Sequence, residues 1–288
     1  MKLDNIQNSL DFINLSINDF LSDIPEIEKQ TFNKLLEITK DLEIQNGKIK
    51  NNVKNLKLIG EIKKELDKII LSKPYLKKVA KFTKAFDKVS DLQKEYFSSI
   101  GVEFGTIKTL DELKKINIDN TIELLTESGI DYNYTSKIRN ILQTNITSGG
   151  SYSDLISQLK ETEGKLLKYA STIATTSLNT YSRAYNQTVA SDLGFKWYMY
   201  VGTNVLKTRP FCRAMTEKKY FHESEIPDII TGNIDGEIIS LAGLNEATTI
   251  DNFTQLAGGW NCGHGIYPIP DAFVPKEIRD KLHDLVNE

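Results

Sequence analysis

Residues 194–202 read GFKWYMYVG, and the chain changes character there. Four aromatic residues and a valine lie between the two glycines, side chains that suit a pleated surface, so the composition predicts a strand over 195–201. Upstream, Leu155, Leu159, Leu166, Leu167, Ala170, Ile173, Ala174 and Leu178 recur at helical spacing. This predicts a long helical stretch from an N-cap at Ser153, broken at Gly164 and stopped at Gly194. Downstream, residues 232–252 are rich in Gly, Thr, Asn and Asp without a period, which predicts an irregular loop region with short strands.

The chain before this boundary reads as amphipathic helices. Ile6, Leu10, Ile13, Ile17 and Phe20 mark the first, and Phe32, Leu35, Leu36 and Leu42 the second. The third stripe, Ile49, Val53, Leu56, Ile59, Ile62, Leu66 and Ile69, is close to a heptad seam. A lone helix cannot bury such a seam, so it is expected to dock on another copy or a partner, with Leu56 and Leu66 as interaction residues. Pro74 fits the first turn of a fourth helix, where its missing amide costs nothing. The expected class is α+β, a mostly helical N-terminal two-thirds with a small C-terminal domain of short strands and loops. The expected domains are a helical arm over 1–100, a helical middle region over 101–193 ending in the long helix, and a small α+β domain over 194–288.

With 288 residues, 40% of them hydrophobic and 26% charged, the chain can build one large or two modest domains. No apolar run approaches the roughly 20 residues of a membrane span, and no membrane partner is expected. The N-terminus lacks a basic flank with an apolar block, which points to a cytoplasmic origin. Cys212 and Cys262 are the only cysteines, too few for a disulfide scaffold. The net charge of −3 gives no general reason for nucleic-acid binding, yet residues 48–94 hold 14 lysines against five acids. These Lys-rich helices are either a solvated face or a contact for DNA. Neither a Walker nor a dinucleotide glycine loop is present.

Three further pieces follow the strand: TRPFC at Thr208 to Cys212, KKYFHESEI, and GGWNCGH at Gly258 to His264, continued by YPIP. In this order and separation they resemble the core of the Mu F-like minor head proteins of tailed bacteriophages. Ile173 to Thr176 and Ala184 to Asn186 resemble the helix preceding the strand in that group, so the resemblance covers about 153–270. The chain departs from the pattern at Ser177, at Glu217 and Lys218, and at Gly263, where relatives carry Glu, Gly and Arg. The resemblance implies a low-copy structural component of the phage head near the portal, assisting assembly and DNA packaging or ejection. Its partners would be the portal protein and other head or capsid proteins, with packaged DNA as a further contact. It would be made in the host bacterial cytoplasm and reside in the virion, with no enzymatic activity and no small-molecule substrate. The rival from another class is a virion-delivered enzyme or toxin, with Cys262 or Cys212 as nucleophile, His264 or His222 as base and Asn261 or an Asp as orienter.

Read from the residues alone, Cys212, His222, Cys262 and His264 supply donors for a tetrahedral zinc site, although their spacing differs from the usual tight pairs. A Cys212 to Cys262 disulfide and simple packing are the other structural readings, and no cofactor is expected unless zinc is bound. In an extended strand Cys262 and His264 share a face, but His264 does not easily approach the thiol. Pro210 stiffens the turn after Thr208 and holds Arg209 extended, ready to present its guanidinium to a carboxylate or a backbone carbonyl. Trp197 and Trp260 read as core residues of the small domain.

Overall fold

The computed structural model describes residues 3–287 apart from 104, 106, 107 and 127. The chain is α+β and mostly helical, with short strands. Its first part runs α1 (Leu3–Leu21), α2 (Ile24–Thr39), β1 (Ile44–Gln45), β2 (Lys48–Ile49), α3 (Val53–Ile70), α4 (Lys73–Thr83), α5 (Ala85–Ser99) and α6 (Lys108–Thr126). The single turn α7 (Ser128–Ile130) leads through a π-helical turn at Asp131–Thr135 into α8 (Ser136–Ser148), α9 (Tyr152–Lys160) and α10 (Lys165–Leu193). The last part holds β3 (Trp197–Val201), α11 (Pro210–Lys218), β4 (Tyr220–His222), α12 (Ile226–Thr231), β5 (Asn233–Ile234), β6 (Glu237–Ile238), α13 (Phe253–Leu256), β7 (Gly265–Ile269) and α14 (Lys276–Asn287). The side chain of His283, expected to be a solvated residue of the terminal helix, lies outside the described residues.

Packing divides the chain into two units. Unit 1 gathers residues 1–16, 84–118 and 175–288, and unit 2 gathers 17–83 and 119–174. The expected three consecutive domains are therefore corrected: residues 1–100 do not stand apart as an arm. The physical reason is that their apolar stripes find cover within the chain, for Ile6, Leu10 and Ile13 of α1 and Phe86, Val89 and Phe97 of α5 are all buried.

In unit 2, α3 packs against both α2 and α8. Asn46 and Gly47 both take positive φ, 51° and 74°, the conformation a two-residue hairpin turn needs, so β1 and β2 pair where a helix from Ile49 onward was expected. The hairpin is pinned to the segment after α8 by Ile49 N–H donating to Gly150 O at 2.9 Å and Tyr152 N–H to Gly47 O at 3.0 Å. Asn52 caps α3 through its side chain. The seam residues Ile62 and Leu66 are buried inside this unit, Leu66 with no exposed surface, whereas Leu56 is 38% exposed. Leu66 is thus a core residue rather than a docking residue, because α2 and α8 already cover its face.

In unit 1, β3 is the middle strand of an antiparallel sheet of order β4-β3-β7. Alternation along β3 sends Tyr198 and Tyr200 into a core with Phe211, Cys212, Met215, Phe221, Phe253 and Cys262. Helices hold β7 through its carbonyls: Tyr96 Oη of α5 donates to Pro268 O at 2.6 Å, and Asn186 Nδ2 of α10 donates to Ile266 O at 3.0 Å. Gln93 donates to Ser9 and Ser182 hydroxyls at 3.0 and 2.8 Å, joining α5 to α1 and α10.

Candidate functional site

The site is a loop, residues 255–264, drawn down onto α10 and α11 of unit 1. Two arginines hold it by its carbonyl oxygens. Arg183, almost wholly buried on α10, donates Nε to Gln255 O at 2.6 Å and Nη1 to Cys262 O and His264 O at 3.2 and 2.8 Å. Arg209, extended before Pro210 as a pre-proline residue must be, donates its two terminal nitrogens to Gly258 O and Trp260 O. A planar guanidinium suits this task because its fixed fork reaches several acceptors at once. The loop is tied further by Asn261 N–H donating to the Thr176 hydroxyl at 3.0 Å. Thr208 closes the preceding turn, its hydroxyl accepting from Val205 N–H at 2.7 Å. Pro210 opens α11, where no amide is required.

So held, the loop brings Cys262 and His264 onto Cys212 of α11. One donor atom from each of the three lies within 4.8 Å of the others, and all three residues are buried. The Cys262 sulfur lies 3.7 Å from His264 Nδ1 and 3.8 Å from the Tyr200 hydroxyl. The close approach of His264 to Cys262 differs from the expectation for a strand. Residues 261–264 precede β7 and are not themselves paired, and Asn261 turns the chain with φ at 59°. Gly258 lines the other side: a Cβ there would sit 2.3 Å from Cys212 Sγ and 3.0 Å from Cys262 Sγ. Both cysteines are free thiols.

The two thiols share their protons unequally. The Cys212 contact holds the Cys262 thiol well below the usual range, with His264 and the nearby Arg183 charge acting in the same direction against burial. The same contact, together with burial, pushes Cys212 up. Burial also pushes the Tyr200 phenol well up, so its hydroxyl stays protonated beside the sulfurs.

Two expected site residues are placed elsewhere. His222 is not in the cluster, because the register of β4 sets it opposite Trp197, with the rings 5.1 Å apart and Nδ1 2.8 Å from the Ser224 hydroxyl. The four-donor set is thereby reduced to three. Trp260 is 53% exposed, since the fold uses its carbonyl and not its ring, whereas Trp197 is buried in the sheet. Arg183 and Tyr200 are site residues that sequence reasoning missed; the available signal for Arg183 was that no other basic residue lies between Lys168 and Lys196.

Comparison of the chain with protein families, curated proteins and solved structures finds no match. No helix among the described residues is long and apolar enough to cross a membrane.

Proposed function

We propose that this chain is a minor structural component of a tailed-bacteriophage head, of the Mu F-like kind, acting by binding the portal protein and other head proteins during assembly. The observation that carries the reading is the use made of the motif residues. The aromatic strand, TRPFC and GGWNCGH converge on one loop, and the polar groups that hold it are spent on internal contacts: Arg209 on two carbonyls and the Thr176 hydroxyl on the Asn261 amide. A set of residues spent on internal contacts suits a rigid module that presents a surface. It suits a thiol enzyme poorly, because nucleophilic cysteines sit in partly open surroundings and these are covered. Virion residence, action without turnover and a supporting role in packaging or ejection belong to the same reading.

The test is particle composition and position. Particles purified from cells expressing the full chain together with its own head genes should retain it after density centrifugation, and imaging should place it inside the head beside the portal. Its absence from purified particles would sink the proposal.

A further inference from the structure

We propose that Cys212, Cys262 and His264 are the protein ligands of one zinc ion, with the Tyr200 hydroxyl flanking its fourth position. This goes beyond the head-protein reading and does not depend on it.

Geometry is the first argument. Tetrahedral zinc with bonds of about 2.3 Å to sulfur and about 2.0 Å to nitrogen places those two atoms roughly 3.6 Å apart along an edge of the tetrahedron. Cys262 Sγ and His264 Nδ1 are 3.7 Å apart, and the Cys212 donor lies within 4.8 Å of both. A cation fits this pair without rearranging it. The donor types are selective as well: two thiolates and an imidazole favour zinc-class ions over magnesium or calcium, which want oxygen.

Unspent polarity is the second argument. His264 is buried, and its Nδ1, the nitrogen a metal would take here, has the Cys262 sulfur as its one polar contact among the described residues. Sulfur is a weak hydrogen-bonding group, so an imidazole and two thiols buried on one another recover little of what they lose on leaving water. A cation bound to both sulfurs and one ring nitrogen replaces those weak contacts with coordinate bonds. The loop is built to bring this about: Arg183 grips the carbonyls of both Cys262 and His264, fixing the ligands from behind, and Gly258 lets the backbone lie against both sulfurs where any side chain would collide. Supporting groups of this kind orient ligands in metal sites.

The experiment uses the full chain purified under reductant, with Zn²⁺ and Co²⁺ as probes. About one equivalent of zinc per chain is expected, and Co²⁺ should give thiolate-to-metal charge-transfer absorption with the visible bands of a tetrahedral ion. Cys212→Ser, Cys262→Ser and His264→Ala should each abolish that spectrum, and His222→Ala should keep it. Tyr200→Phe should weaken metal affinity by roughly 10–100-fold and shift the cobalt bands. The wild type supplies an arm that needs no variant: zinc should protect both thiols from a thiol reagent under native conditions, and a chelator should remove the protection. No charge-transfer band from folded wild type in excess Co²⁺, a band that survives Cys262→Ser, or a Cys212 to Cys262 disulfide in freshly isolated protein would each overturn the site. Metal-free chain recovered from heads would overturn the zinc site alone, and zinc-loaded chain missing from particles would overturn the head reading alone.

Discussion

Among single residues, Gly258 is constrained by sulfur, with no room for a side chain between it and the two cysteines. Its φ is not positive, so an alanine there meets a collision with two sulfurs and no backbone strain. Gly258→Ala should lower stability by about 1–3 kcal/mol, the usual cost of forcing a methyl group into a packed core, while Gly263→Ala, whose Cβ would meet nothing within 4 Å, should leave thermal unfolding unchanged. Equal melting temperatures for the two variants would refute the packing. Arg183→Leu should cost more. It leaves the carbonyls of Gln255, Cys262 and His264 without their donor, at about 1–3 kcal/mol for each one left unpaired in the interior. Denaturant titration should show that loss, and Arg183→Lys should recover only part of it, since an ammonium lacks the fork. Cys212, Cys262 and His264 were legible in the sequence because the chain has two cysteines and three histidines, and each stands in a short motif. Arg183 and Tyr200 were not, since one lies on a helix whose period speaks only of packing and the other is one of three aromatics in a strand.

For whole elements, periodicity reveals that a face is buried and stays silent on what buries it. In the apolar α3 stripe Ile62 and Leu66 are covered within unit 2, partly by the distant α8 segment, which leaves no trace in the local pattern, whereas Val53 and Leu56 stay exposed. Leu66→Ala should therefore destabilise the isolated protein by about 2–5 kcal/mol, and Leu56→Asp should fold normally, as circular dichroism and thermal melts would show. Wild-type stability in the Leu66 variant would restore the docking face. The start of α10 gives a pH dependence. The Glu28 carboxylate accepts the Leu166 amide at 2.9 Å, but burial outweighs that bond and pushes the carboxyl up from 4.5. A raised folded value means that the contribution of Glu28 is fully present below 4.5 and is lost as pH rises through the raised value. Glu28→Gln, which does not titrate, should gain on the wild type over that rise, and a pH-independent difference in melting temperature would refute the assignment.

At the scale of the whole molecule, charge counted along the sequence overstates charge available to a ligand. Lys54, Lys63, Lys68, Lys78 and Lys81 of the lysine-rich stretch each lie within 4.0 Å of a carboxylate. The full chain is expected to retain no DNA duplex at physiological ionic strength; binding whose log–log salt dependence had a slope near −0.9 for each of several phosphate contacts would return these helices to the DNA reading.

The interleaving of the two units reaches into how the protein is made. Unit 2 lies wholly between residues 17 and 174, so all its parts have been synthesised before the final third of the chain exists. Unit 1 must wait: Tyr96 finds its acceptor at Pro268, 172 residues later, and the Ile6, Leu10 and Ile13 stripe belongs with a sheet whose last strand begins at Gly265. At about 5–20 residues per second, that stripe spends roughly 10–50 s on the ribosome without its native cover. The N-terminal helix is thus the segment most exposed to chaperones, proteases and neighbouring nascent chains, and a message truncated before β7 yields one finished unit joined to sticky, orphaned helices.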